Sequence, residues 1–359
     1  MLKALEVRGK LLLGVLAAAL FWRPGRRRRQ APSALRRVLL VRLDRRVGEV
    51  VLMTPVVRAA RALPGSPAVD VLVHPSMTAL MAWCPEVDRV VAAPRSIRGL
   101  GFLARPLRAL RAERYDAVIN CSNWESPSIG PALVCRYVAR DALLVGPAVW
   151  PVRWLNDLSV SPLPQVRSEA RQRMHLLSAL GPQGDQARVS LSTPAPDATV
   201  QQLLGALPRP FAVVNPGGRL AERRVPAQTF GALARTLLRS GVAPVVTWGP
   251  GEEALAEEVV REAGPGCVLA PPTSLAQWSA LVSAAQLVVC NNTGPMHLGV
   301  ALGTPTFALF WRMDVLRWGH PHPPHRMVDL SAGEVQVEAA LEDYLRTLPR
   351  GEAQSSRKV

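Results

Sequence analysis

The chain has 359 residues, of which 48% are apolar, a mean hydropathy of +0.12 and a formal net charge of +16. This length and composition predict a globular protein of two domains. The five cysteines are scattered and include no C-x-x-C pair, which excludes a disulfide framework and a zinc-binding pattern and fits a reducing compartment.

The positive charge is concentrated at the N terminus. Residues 1–46 contain 13 Lys or Arg and only two acidic residues. A nucleic-acid-binding surface should extend over the folded body, so we expect no nucleic-acid partner.

An apolar run from Leu11 to Trp22 precedes four arginines, Arg26 to Arg29. The run has 12 residues, too few for an ordinary membrane span, and no small-residue cleavage site follows it. Such a segment favours anionic headgroups, so we predict that residues 1–33 attach a cytoplasmic protein peripherally to the inner face of the cell membrane. The alternative is a helix packed on the body, followed by a solvated basic linker.

After Pro32, buried-strand runs alternate with helical apolar spacing. The predicted strands are Arg37–Leu43, Val69–Val73, Arg89–Ala92, Ala117–Cys121 and Ala142–Val145; the predicted helices are Val51–Leu63, Ser76–Cys84, Phe102–Arg114 and Pro131–Arg140. The segment Gly146–Pro164 has four prolines and no periodicity, which predicts the interdomain connection.

A predicted helix near Ser168–Leu180 follows, and the alternation then resumes. The strands predicted in this half are Phe211–Asn215, Pro244–Trp248, Cys267–Ala270, Gln286–Cys290 and Thr306–Phe310; the helices are Ala227–Arg239, Glu252–Glu262, Leu275–Ala284 and Pro295–Leu302. We predict an α/β protein with two facing Rossmann-like domains, residues 34–160 and 161–350, each with a parallel sheet, and a disordered tail at 351–359. Ligands of such sheets bind beyond the carboxyl ends of the strands, so the two sheets would share one cleft.

The loop after the first predicted strand, VRLDRRVGEVVLMTP, places Gly48 in a tight turn and Glu49 at the mouth of the next helix. A carboxylate there is predicted to face the cleft. The alternative is a first-turn acid that only complements the helix dipole.

The loop VVNPGGRLAERRVP contains two glycines that permit close backbone approach, Gly217 and Gly218. Arg219, Arg223 and Arg224 supply charged forks suited to phosphate. The spacing is not that of a G-x-x-x-x-G-K-[ST] loop, which disfavours a P-loop nucleotidase. A solvated basic loop is the alternative.

The loop TWGPGEEALAEE ends a strand in a Gly-Pro-Gly turn and begins a helix with Glu252 and Glu253. A carboxylate at a strand end in a nucleotide site often binds ribose hydroxyls. An acidic helix start that complements the dipole explains the same residues.

In CNNTGPMHLGVALGTP, Asn292, Thr293 and Gly294 follow an apolar strand and open a helix that carries His297. Free backbone N–H groups and a hydroxyl at a helix start form an anion site. A plain strand-to-helix turn with an N-cap is the alternative.

The segment GHPHPPH, Gly319 to His325, contains three histidines but also prolines that prevent the i, i+4 pairing of common zinc motifs. We therefore expect no metal site and no cofactor. No G-x-G-x-x-G follows a predicted strand, which makes a dinucleotide oxidoreductase improbable.

Taken together, these loops resemble those of the ADP-heptose:lipopolysaccharide heptosyltransferases, glycosyltransferase family 9, over most of the chain from Arg37 to Leu348. VRLDRRVGEVVLMTPVVRAAR resembles the family's opening strand, Gly-Asp turn and Thr-Pro helix; NPGGRLAERRVP matches its PGAR-x-x-x-KRWP loop without a gap; CNNTGPMHLGVALGTPTFALF resembles its D-T-G-x-x-H segment. The resemblance implies the GT-B fold and glycosyl transfer with inversion.

Position by position, the resemblance implies that Glu49 is the catalytic base and that Arg223 takes the place of the lysine that contacts the donor phosphates. The donor site would further include Gly217, Gly218, Arg219, Glu252, Glu253, Asn292, Thr293, Gly294 and His297. The implied donor is a nucleotide sugar, ADP-heptose in the first place, and the implied acceptor is a lipopolysaccharide core or a similar glycolipid.

Three residues depart from the family pattern: Glu49 replaces an Asp, Arg223 a Lys and Asn292 the acid of D-T-G. The first moves a carboxylate out by one methylene, the second changes a point donor into a fork, and the third removes a charge. Two alternatives therefore stay open, a transferase of the same fold with another donor or acceptor, and an inert membrane-associated or nucleic-acid-binding scaffold.

Overall fold

The structure is a computed structural model that describes residues 30–93, 100–125, 128–182, 184, 187–331 and 335–349. The chain divides into two compact units, Met1–Arg188 and Val189–Val359. This division falls later than the predicted boundary after residue 160, because the helix Glu169–His175 belongs to the first unit.

The first unit contains one parallel sheet of six strands. Its strands are β1 (Arg37–Arg42), β2 (Ala68–Val73), β3 (Arg89–Ala92), β4 (Ala117–Asn120), β5 (Leu143–Pro147) and β6 (Leu158–Val160). Its helices are α1 (Val47–Val51), α2 (Thr54–Arg61), α3 (Thr78–Ala82), α4 (Leu100–Ala112), α5 (Ile129–Val138) and α6 (Glu169–His175).

The second unit contains a parallel sheet of the same size. Its strands are β7 (Phe211–Asn215), β8 (Ala243–Val246), β9 (Val268–Leu269), β10 (Leu287–Asn291), β11 (Thr306–Phe310) and β12 (Arg326–Asp329). Its helices are α7 (Ala198–Ala206), α8 (Ala227–Arg239), α9 (Glu253–Ala263), α10 (Leu275–Ser283), α11 (Gly294–Ala301), α12 (Val315–Trp318) and α13 (Val337–Thr347).

Both sheets have the Rossmann strand order. The order is β3-β2-β1-β4-β5-β6 in the first unit and β12-β11-β10-β7-β8-β9 in the second. In each sheet the direction of winding reverses between the first and fourth strands, β1 and β4 or β7 and β10. Ligands of open parallel sheets bind at this reversal, beyond the carboxyl ends of the strands. The α/β prediction with two parallel sheets is confirmed.

The core strands are buried on both faces, as expected for sheets covered by helices. All five residues of β7 and of β10 are buried. Helix α8 shows the matching amphipathic pattern: Phe230, Leu233 and Leu237 are fully buried, whereas Arg235 and Arg239 are exposed.

Two local predictions differ from the structure. The helix predicted at Val51–Leu63 is two helices, α1 and α2, because Pro55 has no N–H to donate to the Val51 carbonyl, which instead accepts from the Thr54 hydroxyl at 2.9 Å. The predicted connection Gly146–Pro164 contains β6, whose Leu158 pairs with Val145 of β5.

Within the described residues, no helix is long and apolar enough to cross a membrane. The predicted membrane-associating run Leu11 to Arg29 and the predicted tail 351–359 lie outside the described residues.

Candidate active site

At the carboxyl edge of the first sheet, the loops that follow β1 and β4 are joined by one buried side chain, Arg42. Its Nη1 donates to the carbonyl oxygen of Cys121 and, at 2.8 Å, to Oδ1 of Asn123. Both loops therefore meet at the point where the strand order reverses.

Glu49 lies in α1 next to this junction. Its side chain is only 7% exposed, so the carboxylate is enclosed by protein, whereas the sequence predicted that it faces the cleft. Oε2 accepts from Arg42 at 2.6 Å and from Arg173, and Oε1 is ion-paired with Arg46 at 3.0 Å. Glu49 is thus the centre of a cluster of arginines.

The arginines keep Glu49 ionised. Burial alone would raise the pKa of its carboxyl group, but the positive charges of Arg173, Arg42 and Arg46 outweigh burial and lower this pKa from 4.5 to about 2. Burial and the nearby Arg173 in turn lower the pKa of Arg42 to about 10. Arg42 is therefore cationic and Glu49 anionic throughout the neutral pH range.

In the second unit, Asn291 at the end of β10 holds both ends of the glycine-arginine loop that follows β7. Its Nδ2 donates to the carbonyl oxygen of Pro216 at 2.7 Å, and its Oδ1 accepts from the amide of Val225 at 3.1 Å. The side chain is 1% exposed, so these bonds are shielded from water.

The same loop is tied to the start of α9 by Glu252. The carboxylate accepts from the amides of Gly218 at 2.8 Å and Gly249 at 3.1 Å, and it is ion-paired with Arg224 at 3.1 Å. A Cβ on Gly217 would overlap the carboxylate, which explains why glycine is needed there. Glu253, by contrast, is exposed and makes no such contact among the described residues.

Arg219 and Arg223 are the exposed cations of this loop. Neither guanidinium has a hydrogen-bond or ion-pair partner in the part of the chain that the structure describes. Arg224 differs, because its Nε donates to the Gly218 carbonyl and its Nη2 to Glu252. Arg224 therefore shapes the loop, while Arg219 and Arg223 remain available to a ligand.

The start of α11 adjoins this loop, since a Cβ on Gly218 would lie 3.0 Å from Cγ2 of Thr293. Thr293 is the N-cap residue, but its hydroxyl makes no capping bond and donates to the Asn291 carbonyl at 3.3 Å. The Met296 amide donates to the Thr293 carbonyl, and Pro295 has no N–H. Among the described residues, the amides of Thr293 and Gly294 have no acceptor, as is common for the first N–H groups of a helix, and donors of this kind can bind an anion.

Asn292 is partly buried, and its Nδ2 is enclosed with no hydrogen-bond partner in the described part of the chain. Its backbone amide donates to the Leu309 carbonyl at 2.9 Å. The residue thus packs beside Thr293 with a donor where the family pattern has an acidic acceptor.

His297, on α11, is 5% exposed and lies against a histidine of the GHPHPPH segment. Its Nδ1 is 2.9 Å from Nε2 of His320, and the two rings are nearly perpendicular. Burial, together with His297, His325 and His322, lowers the pKa of His320 well below its ordinary value of 6.5. His320 is therefore neutral at pH 7. Among the residues described, no group of three or more His, Cys, Asp or Glu is placed to hold a metal ion.

The structure thus brings most predicted donor-site residues of the second unit to one edge of its sheet. Sequence reasoning missed Asn291, which holds the loop after β7, and His320, which contacts His297. In the first unit it missed Arg42 and Arg173, which hold Glu49. Arg224 was predicted to suit phosphate but instead pairs with Glu252. Arg42 and Asn291 lie within the quoted motifs, but Arg173 lies 124 residues from its partner Glu49 and has no local signal.

Two Rossmann-like units, each with a six-stranded parallel sheet, define the GT-B fold. Residues 103–336 match the model of glycosyltransferase family 9 (heptosyltransferase), and the chain belongs to this family. It is therefore an enzyme that transfers a glycosyl group.

Individual relatives agree with this assignment. The lipopolysaccharide heptosyltransferase 3 of Escherichia coli is 24% identical over 289 residues, which cover 76% of this chain and 82% of that protein. A family 9 glycosyltransferase from Veillonella parvula has a TM-score of 0.72 at 19% identity, covering 88% of this chain and 93% of its own. The E. coli heptosyltransferase WaaC with ADP has a TM-score of 0.68 at 21% identity, covering 86% and 99%. At these identities the solved structures show the fold alone.

Proposed function

We propose that the protein transfers heptose from ADP-heptose, with inversion, onto a lipopolysaccharide core or a related glycolipid. Relatives named as lipopolysaccharide heptosyltransferases support the sugar and the acceptor class, and a solved heptosyltransferase with ADP supports the nucleotide. The proposal depends most on one combination of donors. Arg219 and Arg223 are exposed on the loop after β7, and the helix start that adjoins this loop has two amides, those of Thr293 and Gly294, with no acceptor among the described residues.

This combination of guanidinium and amide donors suits a diphosphate. Guanidinium groups donate two parallel hydrogen bonds to phosphate oxygens, and amides at a helix start add donors aligned with the helix dipole. Gly217 and Gly218 let the donor approach the backbone closely. Fixed positive groups of this kind stabilise the charge that develops on the departing ADP.

Glu252 is the proposed ribose contact. A carboxylate has about four lone-pair positions, and three donors from the described residues occupy them here. A ribose hydroxyl can therefore donate to the same group without displacing the loop. Glu253 is the exposed alternative one residue further on. Asn292 and His297 complete the proposed donor site beside Thr293.

In the proposed reaction, the acceptor hydroxyl oxygen attacks the anomeric carbon on the face opposite the diphosphate. The new C–O bond forms while the bond to the phosphate oxygen breaks, and the electron pair leaves with ADP. Glu49 receives the acceptor proton. Since its pKa is about 2, transfer is favourable only after bond formation has made the oxygen strongly acidic, so the proton moves late.

A glycolipid acceptor places the reaction at a membrane surface. We propose that residues 1–33 bind the inner face of the cell membrane through the apolar run and Arg26 to Arg29, which attract anionic headgroups. The protein is then a cytoplasmic enzyme held peripherally at the membrane.

A second candidate is a transferase of the same fold with a different donor or acceptor. The observation that favours it is Asn292, a partly buried neutral amide beside Thr293 where the family pattern has a carboxylate, so a negative charge is absent at this position. A sugar with a different arrangement of hydroxyl groups would fit this change.

The proposal is tested by titration calorimetry with ADP, UDP and GDP, followed by product analysis with ADP-heptose and membrane glycolipid. Arg223→Ala should weaken ADP binding by about 10- to 150-fold, because charged hydrogen bonds contribute roughly 1.5–3 kcal/mol each. Thr293→Val should weaken it less, since only a neutral hydroxyl is lost.

Arg261→Ala is the matched control. It removes another exposed arginine of the second unit, roughly 12 Å along α9 from Glu253, and should leave ADP binding unchanged. Equal ADP affinity of Arg223→Ala and the wild type would refute the donor site. Binding of UDP or GDP in preference to ADP would favour the second candidate, and binding of none of them would favour an inert scaffold.

A further inference from the structure

Arg173 is a fully buried arginine that the proposed reaction does not use directly. It lies on α6 with 1% of its side chain exposed. Its Nη1 donates to the backbone carbonyl oxygen of Glu49 at 2.7 Å, and its Nη2 donates to Oε2 of the same residue. On its own helix, Nη2 is ion-paired with Glu169 at 3.1 Å.

This contact is made at two points of one residue. The planar guanidinium bridges the main chain and the carboxylate of Glu49, which fixes the side chain relative to its own backbone. A lysine ammonium carries the same charge but is a point donor and does not form this fork.

The two carboxylate oxygens of Glu49 are not equivalent. Oε2 is held by two buried guanidinium groups, those of Arg42 and Arg173, which are 5% and 1% exposed. Oε1 is ion-paired with Arg46, which lies at the surface and is 50% exposed. Oε1 is therefore the oxygen that a substrate can reach when the Arg46 side chain moves.

The charges around Glu49 balance. Arg42 comes from β1, Asp44 and Arg46 from the loop after it, and Glu169 and Arg173 from α6. From the loop after β4, Asn123 adds a neutral amide oxygen, and burial raises the pKa of the Cys121 thiol to about 12, which keeps it neutral. Removal of Arg173 leaves three carboxylates against two arginines.

We infer that Arg173 is a positioning residue for catalysis, which holds Oε2 of Glu49 so that Oε1 is the atom that receives the acceptor proton. The inference rests on the proposed role of Glu49 as base. Arg173 touches neither substrate and acts only through Glu49.

The test is the pH dependence of kcat at saturating donor and acceptor, from pH 5 to pH 8, for Arg173→Met and Arg173→Lys. In the wild type, Glu49 is ionised over this whole range, so protonation of Glu49 causes no fall in kcat on the acid side. In Arg173→Met the loss of the largest favourable charge raises the pKa of Glu49, and kcat should fall as the pH decreases. The maximal kcat should also drop by roughly 100-fold, with less than a threefold change in the donor KM, because a misplaced base affects the chemical step.

Arg173→Lys separates charge from placement. It should keep the wild-type pH profile, since the charge is retained, and should still lose kcat by roughly tenfold or more because the two-point contact is gone. Wild-type kcat in this variant would show that charge alone is sufficient and would overturn the positioning role.

The matched control is Arg136→Met. Arg136 is also a buried arginine of the first unit, ion-paired with the buried Asp157 at 3.1 Å. The loss of Arg136 should lower stability as much as the loss of Arg173, because the carboxylate of Asp157 is left uncompensated. It should leave the pH profile of kcat unchanged. If Arg173→Met does not fold, Arg173→Met with Glu169→Gln removes the opposing charge as well and should show the same acid-side fall.

Failure of the inference and failure of the proposed function give different results. Glu49→Gln with wild-type kcat would refute the base itself, whatever Arg173 does. A large loss in Glu49→Gln together with an unchanged kcat and pH profile in Arg173→Met would refute only the positioning role. The combined variant, Glu49→Gln with Arg173→Met, should show no acid-side fall, which would assign that fall to Glu49.

Discussion

The carboxylate of Glu252 accepts a hydrogen bond from the backbone amide of Gly218, 2.8 Å away. Arg224 closes the arrangement, because it donates to the Gly218 carbonyl and to Glu252. The peptide groups on both sides of Gly218 are thus fixed by a carboxylate and a guanidinium. The backbone that we propose to meet the donor phosphates is therefore ordered before the donor binds, which lowers the entropy cost of binding.

Gly217→Ala should weaken ADP binding by roughly tenfold or more. The added Cβ would overlap the Glu252 carboxylate, which must leave Gly218 and Gly249 to make room. Titration calorimetry measures the effect. Gly205→Ala, in α7, is the control: no atom lies within 4 Å of its added Cβ, and alanine should stabilise the helix by about 1 kcal/mol without a change in ADP affinity. The same ADP affinity in both variants would contradict the role of Glu252.

The first unit should lose stability as the pH falls from about 4.5 to about 2. The folded pKa of Glu49 lies below its ordinary value, so its ion pairs stabilise the protein above pH 4.5 and are lost on protonation. By pH 3 the loss should be about 2 kcal/mol, because the unfolded carboxyl group is then protonated while the folded one is still mostly ionised. Urea denaturation at pH 7, 4 and 3 measures it, and Glu49→Gln should show a shallower pH dependence. Parallel curves for the two proteins would argue against these ion pairs.

The second unit should lose stability between pH 7.5 and pH 5.5 through His320. Its folded pKa is below the ordinary 6.5, so the unfolded chain binds a proton that the folded chain excludes. His320→Asn removes the titrating group and should flatten this part of the profile. The measurement is the urea midpoint at both pH values. An unchanged slope in His320→Asn would show that another group titrates.

Replacement of Arg26 to Arg29 by glutamine in the full chain should release the protein from vesicles that contain anionic lipid. Each basic residue near such a surface contributes about 1 kcal/mol, so four residues change the affinity by up to roughly 1,000-fold. Vesicle sedimentation at low and moderate salt measures the change. The control replaces four exposed arginines of the second unit by glutamine, namely Arg209, Arg235, Arg261 and Arg346. Equal loss in both variants would mean that overall charge, and not the N-terminal segment, binds the membrane.

Much of the fold could be predicted because parallel strands buried on both faces appear as continuous apolar runs. The runs at β7 and β11 have the predicted bounds, Phe211–Asn215 and Thr306–Phe310. Strand β6 could not be predicted in the same way, since it has three residues, lies between prolines and includes an exposed serine, Ser159. Its place in the sheet follows from pairing with β5, a contact that local periodicity does not record.

The candidate site shows the same limit. The glycines and arginines of the loop after β7 could be identified because their chemistry is local to the chain. Glu49 was identified by its position, but its burial was not, since the arginine that encloses it most closely comes from α6. Because Arg173 and Glu49 are 124 residues apart, neither the hydrophobic periodicity nor the motif spacing of the sequence predicts their contact.

Asn291 fixes the two ends of the glycine-arginine loop to the end of β10. Because one amide side chain fastens the Pro216 carbonyl and the Val225 amide, the two ends of the loop keep their separation whatever lies between them. The residues between these two ends can therefore be substituted while the positions of the ends stay the same. A substitution such as Arg223→Lys would therefore change the donor offered to a ligand without moving the ends of the loop.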